Sequence, residues 1–377
     1  MVLENLDNVP WTSLKHAYGG AEDTPKYLRL LTSSNPSDQE KAFNHLYSTL
    51  YYQGSVYTAA VAAVPFMIEI LQESTIKHKH FTLDLLSSLA AVGSFHNNHQ
   101  HLFLFKDVRE TPEFKARFQE ELNWVADLRT ELEKHLPVYC LMLDDNEKLN
   151  RLYVSHLLSV LPDLRERSIP ELINHLKTEN DPQVRANILH VLGKLDYANQ
   201  QALFEEFWRS EKNRLPQCVA LAWFTTCSGV QTPEEALNAL VEILLTADEG
   251  MIGEYEELPS VGRFTPNMAI PVAIASSKYA ERILPWYTKQ VMRSNFVGDN
   301  FGIGLLVVAL RPQGKIANIN HLSGSQCQAI IAIAKKAWLT PNSIYGNMID
   351  VLRMFGLPDT KEEIDQLVRL NLNRSHG

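Results

Sequence analysis

The stretch IPELINHLKTENDPQVRANILHVLGKL, residues 169–195, holds two amphipathic helices back to back. After Pro170 the apolar positions are Leu172, Ile173 and Leu176. After Pro182 they are Val184, Ile188, Val191, Leu192 and Leu195. Spacings of three and four put each set on one helical face. Asp181 stands where an N-cap belongs, and Pro182 takes the first helical position, where a missing N–H costs nothing. Two such helices cannot bury their apolar faces alone, so the pair must stack on neighbours of its own kind.

The pattern extends in both directions. Pro25 precedes Tyr27, Leu28, Leu30 and Leu31, and Pro65 precedes Met67, Ile68, Ile70 and Leu71. Pro137 precedes Tyr139, Leu141 and Leu143. From Pro25 to Pro65 is 40 positions, from Pro137 to Pro170 is 33, and the gap between these two sets is 72. The shorter intervals suit a two-helix repeat, and the long one holds an insertion or a degenerate unit. From Ser37 to Tyr51, the residues Ala42, Phe43, Leu46, Tyr47, Leu50 and Tyr51 make one broad face, with Ser37 and Glu40 spaced as a capping box. Thr232 to Glu235, and Thr360 with Glu363, are further helix starts. Strand signals are almost absent. The expected fold is all-α, an α-α superhelix of stacked antiparallel helix pairs forming a single solenoid over residues 1–377. Repeats are regular over about 24–246 and less so over 247–377, where glycine and proline become commoner.

The run from Pro170 through Asp181-Pro182-Gln183-Val184-Arg185 to Leu192-Gly193 resembles a HEAT repeat. The N-terminal stretch, Leu14 to Gly19 and Ala63 to Phe66, is similar to that of bacterial HEAT-repeat proteins, most of unassigned function. The resemblance implies that Asp181 and Arg185 are structural, as members of a ladder between neighbouring repeats. Asp145 is followed by Leu149 and Arg151 in a shifted register. A repeat family supplies an architecture and little chemistry.

With 45% hydrophobic and 21% charged residues, the chain has ample material for a core. Met1 to Trp11 lacks a basic segment followed by an apolar one, and no run approaches a membrane span. Cys140, Cys218, Cys227 and Cys327 lie far apart, as buried free thiols of a reducing compartment do. A soluble, cytoplasmic protein is expected. The net charge is −9, and from Leu215 to Gly262 there is no Lys, Arg or His, against eight acids. Such a field repels phosphates and anionic membranes and favours a basic partner.

Chemical motifs are few. His96, His99 and His101, with His78 and His80 upstream, are the one metal-like cluster, but no carboxylate or cysteine stands at ligand spacing. They read as solvated loop histidines, and no metal or other cofactor is expected. His156 reads as a hydrogen-bonded, semi-buried histidine. Gly298 to Gly304 lacks the lysine of a phosphate loop and reads as a turn before the helix Leu305 to Leu310. No catalytic residue emerges. Ala247 to Gly262, ADEGMIGEYEELPSVG, reads as a long loop that sets Asp248, Glu249, Glu254, Glu256 and Glu257 beside Met251, Ile252, Tyr255 and Leu258. Two readings stand for it. Asp248, Glu249, Glu254, Tyr255, Glu256 and Glu257 form an interface for a basic protein, or the loop is merely solvated.

The leading expectation is therefore a non-catalytic protein-binding scaffold, with a toxin-neutralising antidote as one concrete version. The alternative class is a HEAT-like enzyme or nucleic-acid processor, such as a DNA glycosylase-like protein or a chromophore lyase. Trp208, Trp223, Trp286 and Trp338 could supply its aromatics, although core packing explains them more simply. Basic residues are dispersed and the net charge has the wrong sign for nucleic acid.

Overall fold

A computed structural model describes residues 2–52, 54–94, 107–259, 261–294, 300–311, 322–336, 338–340, 343–344, 346–360 and 362–366. The fold is all-α. Among the described residues, sheet is confined to three short antiparallel hairpins, the first two being Lys15–His16 with Gly19–Gly20 and Tyr51–Tyr52 with Ser55–Val56, and to one isolated bridge. The chain divides into two compact units, Met1–Leu195 and Asp196–Gly377.

The first unit contains α1 (Thr24–Leu30), α2 (Pro36–Leu50), α3 (Thr58–Gln72), α4 (His80–Ala90), α5 (Pro112–Glu133), α6 (Leu136–Met142), α7 (Lys148–Ser159), α8 (Arg165–Thr178) and α9 (Pro182–Asp196). Its packing has the periodicity of a helical repeat. First helices meet in series, α1 on α3, α3 on α6 and α6 on α8, while second helices do the same, α2 on α4 and α4 on α7. Pro25, Pro65, Pro137 and Pro170 all fall in first helices. The long interval between Pro65 and Pro137 accommodates α5, a 22-residue helix that lies on α3 and α4.

Local details refine the expected helix starts. The cap of α2 is Asn35, whose side chain accepts from the Ser37 N–H at 3.1 Å, with Pro36 at the first position; Ser37 is therefore inside the helix. Pro170 does not begin its helix, because α8 already starts at Arg165. Asp181 does cap α9, its Oδ1 accepting from Gln183 N at 2.9 Å and Val184 N at 3.2 Å. Arg185 donates from Nη1 to the carbonyls of Leu176 and Glu179 at 3.1 and 3.0 Å, tying α9 to the helix before it. Neighbouring repeats are linked in part through Arg151 of the shifted register and through Asn187. Arg151 Nε donates to Glu179 Oε2 at 2.7 Å, and Asn187 Nδ2 donates to Leu152 O and Ser155 Oγ at 3.0 and 2.7 Å. At the helix start signalled by Thr360 and Glu363, Glu363 N donates to Thr360 Oγ1 at 3.4 Å and Thr360 Oγ1 donates to Glu363 Oε2 at 2.8 Å.

The second unit contains α10 (Gln201–Ser210), α11 (Arg214–Ser228), α12 (Glu234–Thr246), α13 (Glu249–Glu256), α14 (Phe264–Ala275), α15 (Ser277–Arg293), α16 (Asn300–Leu310), α17 (Gly324–Lys336) and α18 (Gly346–Met354). Here α11 packs on α10, α12 and α14, while α15 packs on α14, α16 and α17. Gly298 lies outside the described residues, whereas Gly302 and Gly304 lie inside α16 rather than in a turn. Gly304 has a packing reason. A Cβ there would come within 2.5 Å of Tyr287 Oη and 2.7 Å of Pro266 Cβ, so α16 can approach α14 and α15 only without a side chain. Among the described residues, no helix is long and apolar enough to cross a membrane.

Candidate functional site

The acidic stretch is the first place to look, and most of it is helical. Asp248 Oδ1 accepts from Met251 N at 2.8 Å and so caps α13, with Glu249 in its first turn, where a carboxylate suits the helix dipole. Gly250 and Gly253 cost this short helix about 1 kcal/mol each relative to alanine. Burial of Tyr255, Leu258 and Val261 offsets that. The expected long loop is thus corrected to a capped helix followed by a short connection.

Tyr255 is also corrected as a contact residue. It is 1% exposed, its ring lies 5.4 Å from Phe264 in an edge arrangement, and its hydroxyl accepts from Asn267 Nδ2 at 2.9 Å. It is core. Glu256 has a structural duty as well. One oxygen meets Arg263 Nη1 at 2.8 Å and the other accepts from Phe264 N at 3.2 Å, at the start of α14. Glu254 and Glu257 are exposed and make contacts of their own. Three of the eight acids between Leu215 and Gly262 have basic partners from outside it. These pairs are Glu234–Lys278 at 3.1 Å, Glu235–Arg209 at 2.5 Å and Glu256–Arg263 at 2.8 Å. The negative field read along the chain is therefore partly neutralised in space.

What remains is a groove of about 700 Å³ within the second unit. Asp248, Glu249 and Ile252 of the α13 region form one wall, and Trp286, Gln290 and Arg293 of α15 form another. Arg263, Thr265, Glu256 and Phe301 also line it. Positions 286, 290 and 293 are four and three apart, so they share one face of α15. The side chains of Glu249, Trp286, Gln290 and Arg293 make no hydrogen bond or ion pair among the described residues. Each keeps open capacity: a carboxylate, an indole N–H with an aromatic face, an amide and a guanidinium. The groove brings together Asp248, Glu249 and Glu256 of the expected set, but Glu254, Tyr255 and Glu257 do not line it. Trp286, expected to be core, is half-buried at its edge. Trp208 is buried, and the side chain of Trp338 lies outside the described residues.

A second groove, about 540 Å³ in the first unit, has less free chemistry. Its Lys79 is buried with Nζ donating to Leu71 O at 2.8 Å, and Asp145 Oδ1 accepts from Glu147 N and Asn150 Nδ2. Asp144 meets His175 Nδ1 at 2.9 Å. Its polar groups chiefly hold turns.

The other candidate sites resolve simply. His96, His99 and His101 lie outside the described residues, and no group of three metal-binding side chains occurs among those that are described. His156 is buried with Nδ1 3.3 Å from Ser159 Oγ, and burial pushes its pKa down to about 4. No family model matches the chain, and no curated protein matches it.

Proposed function

We propose that the chain is a non-catalytic, HEAT-type protein-binding scaffold whose second-unit groove receives a basic segment of another protein. The observation that supports this is Glu249, uncommitted among the described residues, beside Asp248 in the groove that Trp286 also lines. A lysine or arginine inserted there would gain a carboxylate partner and an aromatic surface together. Tryptophan and arginine are also the side chains that most often dominate interface energetics, and the groove offers both. The carboxylates would disfavour a phosphate backbone. An antidote that masks a basic toxin is one setting for such a groove, and a reducing cytoplasm suits the four free cysteines.

The reading is tested by selecting a random decapeptide display library on the folded full-length chain. Selected peptides should be enriched in lysine or arginine and should bind competitively with one another. Glu249→Lys should lose them. Recovery of the same sequences on wild type and variant, or no enrichment on wild type, would defeat the proposal.

A further inference from the structure

The groove of about 540 Å³ in the first unit lies where the end of α3 and the loop before α4 meet α6 and the turn into α7. Most of its polar groups serve turns, yet three of them keep capacity to spare. Lys79 is the first. It is 7% exposed, and its Nζ donates to Leu71 O at 2.8 Å. That tie needs no charge. Gln39 Nε2 makes the equivalent bond to Leu31 O at 2.9 Å and Gln217 Nε2 to Trp208 O at 3.1 Å, each a neutral amide reaching back to the end of the preceding helix. An ammonium has three donors, and Lys79 forms no ion pair among the described residues. Burial lowers its pKa, and the charges of Asp145 and Glu73 act against that.

Asn150 is the second. It is 1% exposed and donates from Nδ2 to Asp145 Oδ1 at 3.1 Å. A carboxylate oxygen only accepts, so this bond fixes which way the amide is turned and leaves Asn150 Oδ1 as an acceptor. No donor reaches that oxygen among the described residues. A buried polar atom left unpaired is destabilising, so it calls for a partner. Asp145 is the third. Its Oδ1 accepts from Asn150 and from Glu147 N at 2.9 Å, while its Oδ2 makes no hydrogen bond among the described residues.

The same groove is lined by the apolar side chains of Leu71, Ile76, Val138, Leu141 and Met142. Leu141 is 77% exposed, and covering it would remove apolar surface from water. A plain anion would answer Lys79 but leave Asn150 Oδ1 unpaired and meet the carboxylates of Asp144, Asp145 and Glu147, which also line the groove. A plain cation would answer the oxygens and meet Lys79. A zwitterion with an apolar side chain satisfies all of them together. We propose that this groove binds a free α-amino acid with an apolar side chain, its carboxylate on Lys79 and its ammonium on Asn150 Oδ1 and Asp145 Oδ2. The volume falls within the range of about 300–1,000 Å³ usual for small-molecule sites. The site is independent of the groove lined by Trp286.

The test is isothermal titration calorimetry on the full chain with leucine, methionine and phenylalanine, and with the amide and the N-acetyl derivative of each. The amide lacks the carboxylate and stands for a peptide N-terminus; the acetyl derivative lacks the ammonium and stands for a C-terminus. At least one free amino acid should bind saturably, and both of its derivatives should bind at least about tenfold more weakly. Lys79→Gln keeps an amide that can hold Leu71 O, as Gln39 and Gln217 hold their carbonyls, and Asp145→Asn keeps an accepting Oδ1. With circular dichroism and melting temperature checked, each should weaken the amino acid by about tenfold or more. Absence of saturable binding by all three amino acids overturns the proposal. So does equal binding of either derivative, a result that needs no variant, or an affinity unchanged in a folded Lys79→Gln.

Discussion

Replacing Glu179 by glutamine should reveal how neighbouring repeats are joined. Glu179 accepts from Arg151 Nε at 2.7 Å and from the backbone N–H groups of Asn180 and Asp181, both at 2.8 Å, and His175 Nε2 lies 3.2 Å away. The Arg151 and Glu179 side chains are only 16% and 5% exposed, so water screens the pair weakly. Removing one partner of a buried pair costs about 3–5 kcal/mol. Glutamine keeps the volume and one accepting oxygen, so the expected loss is about 2–4 kcal/mol. Native-state hydrogen exchange, read on peptides from α7 and α9, measures it where it arises. Burial alone would raise the Glu179 pKa, but Arg151 and the two backbone donors hold it below its ordinary 4.5. The contribution is therefore present above pH 4.5 and is lost as pH falls through the lower folded value. The difference between wild type and variant should shrink accordingly at low pH. The exposed pair Lys278–Glu234, 75% and 72% exposed, is the control, and Glu234→Gln should leave stability unchanged within error. A Glu179→Gln effect below about 1 kcal/mol, or one that does not diminish in acid, would refute the reasoning.

Other outcomes follow from the same geometry. Gly304→Ala should destabilise the second unit by about 1–3 kcal/mol, seen in urea unfolding, because Tyr287 and Pro266 already occupy the methyl position. His156 is held near pKa 4 by burial, with Lys194 adding to it, so the folded chain resists a proton that the unfolded chain accepts below 6.5. Its contribution is complete above pH 6.5 and falls by about 2 kcal/mol by pH 5. His156→Gln should flatten the pH dependence of the urea midpoint by about that amount. Asp84 works in the opposite sense, since its raised pKa means the carboxylate is held against its preference. Asp84→Asn should stabilise the first unit at pH 7 by on the order of 1 kcal/mol after allowance for its partial exposure, as a higher melting temperature.

The repeat was legible because its signals are local. A proline followed by an apolar stripe falls in each first helix, at Pro25, Pro65, Pro137 and Pro170, and the over-long interval between Pro65 and Pro137 contains α5. Asp181 and Pro182 began α9 as their chemistry demands. The capping box at Ser37 misled because Asn35 stands two residues earlier and offers the same oxygen just ahead of a proline. The acidic stretch was harder. Gly250 and Gly253 weigh against a helix along the chain, and only packing shows that Tyr255 is a buried anchor for one. Trp286, Gln290 and Arg293 were within reach, since their spacing puts them on one face of α15. Their meaning came from Asp248 and Glu249, some forty residues earlier, which no periodicity could bring to the same groove.

The most direct measurement of the scaffold reading is the affinity of one selected basic decapeptide for wild type, Glu249→Lys and Trp286→Ala, by isothermal titration calorimetry. Loss of about 2 kcal/mol or more in each variant, with circular dichroism unchanged, is the result that the groove predicts. Undiminished binding by both variants would mean that the peptide sits elsewhere and that this groove is not the partner's site.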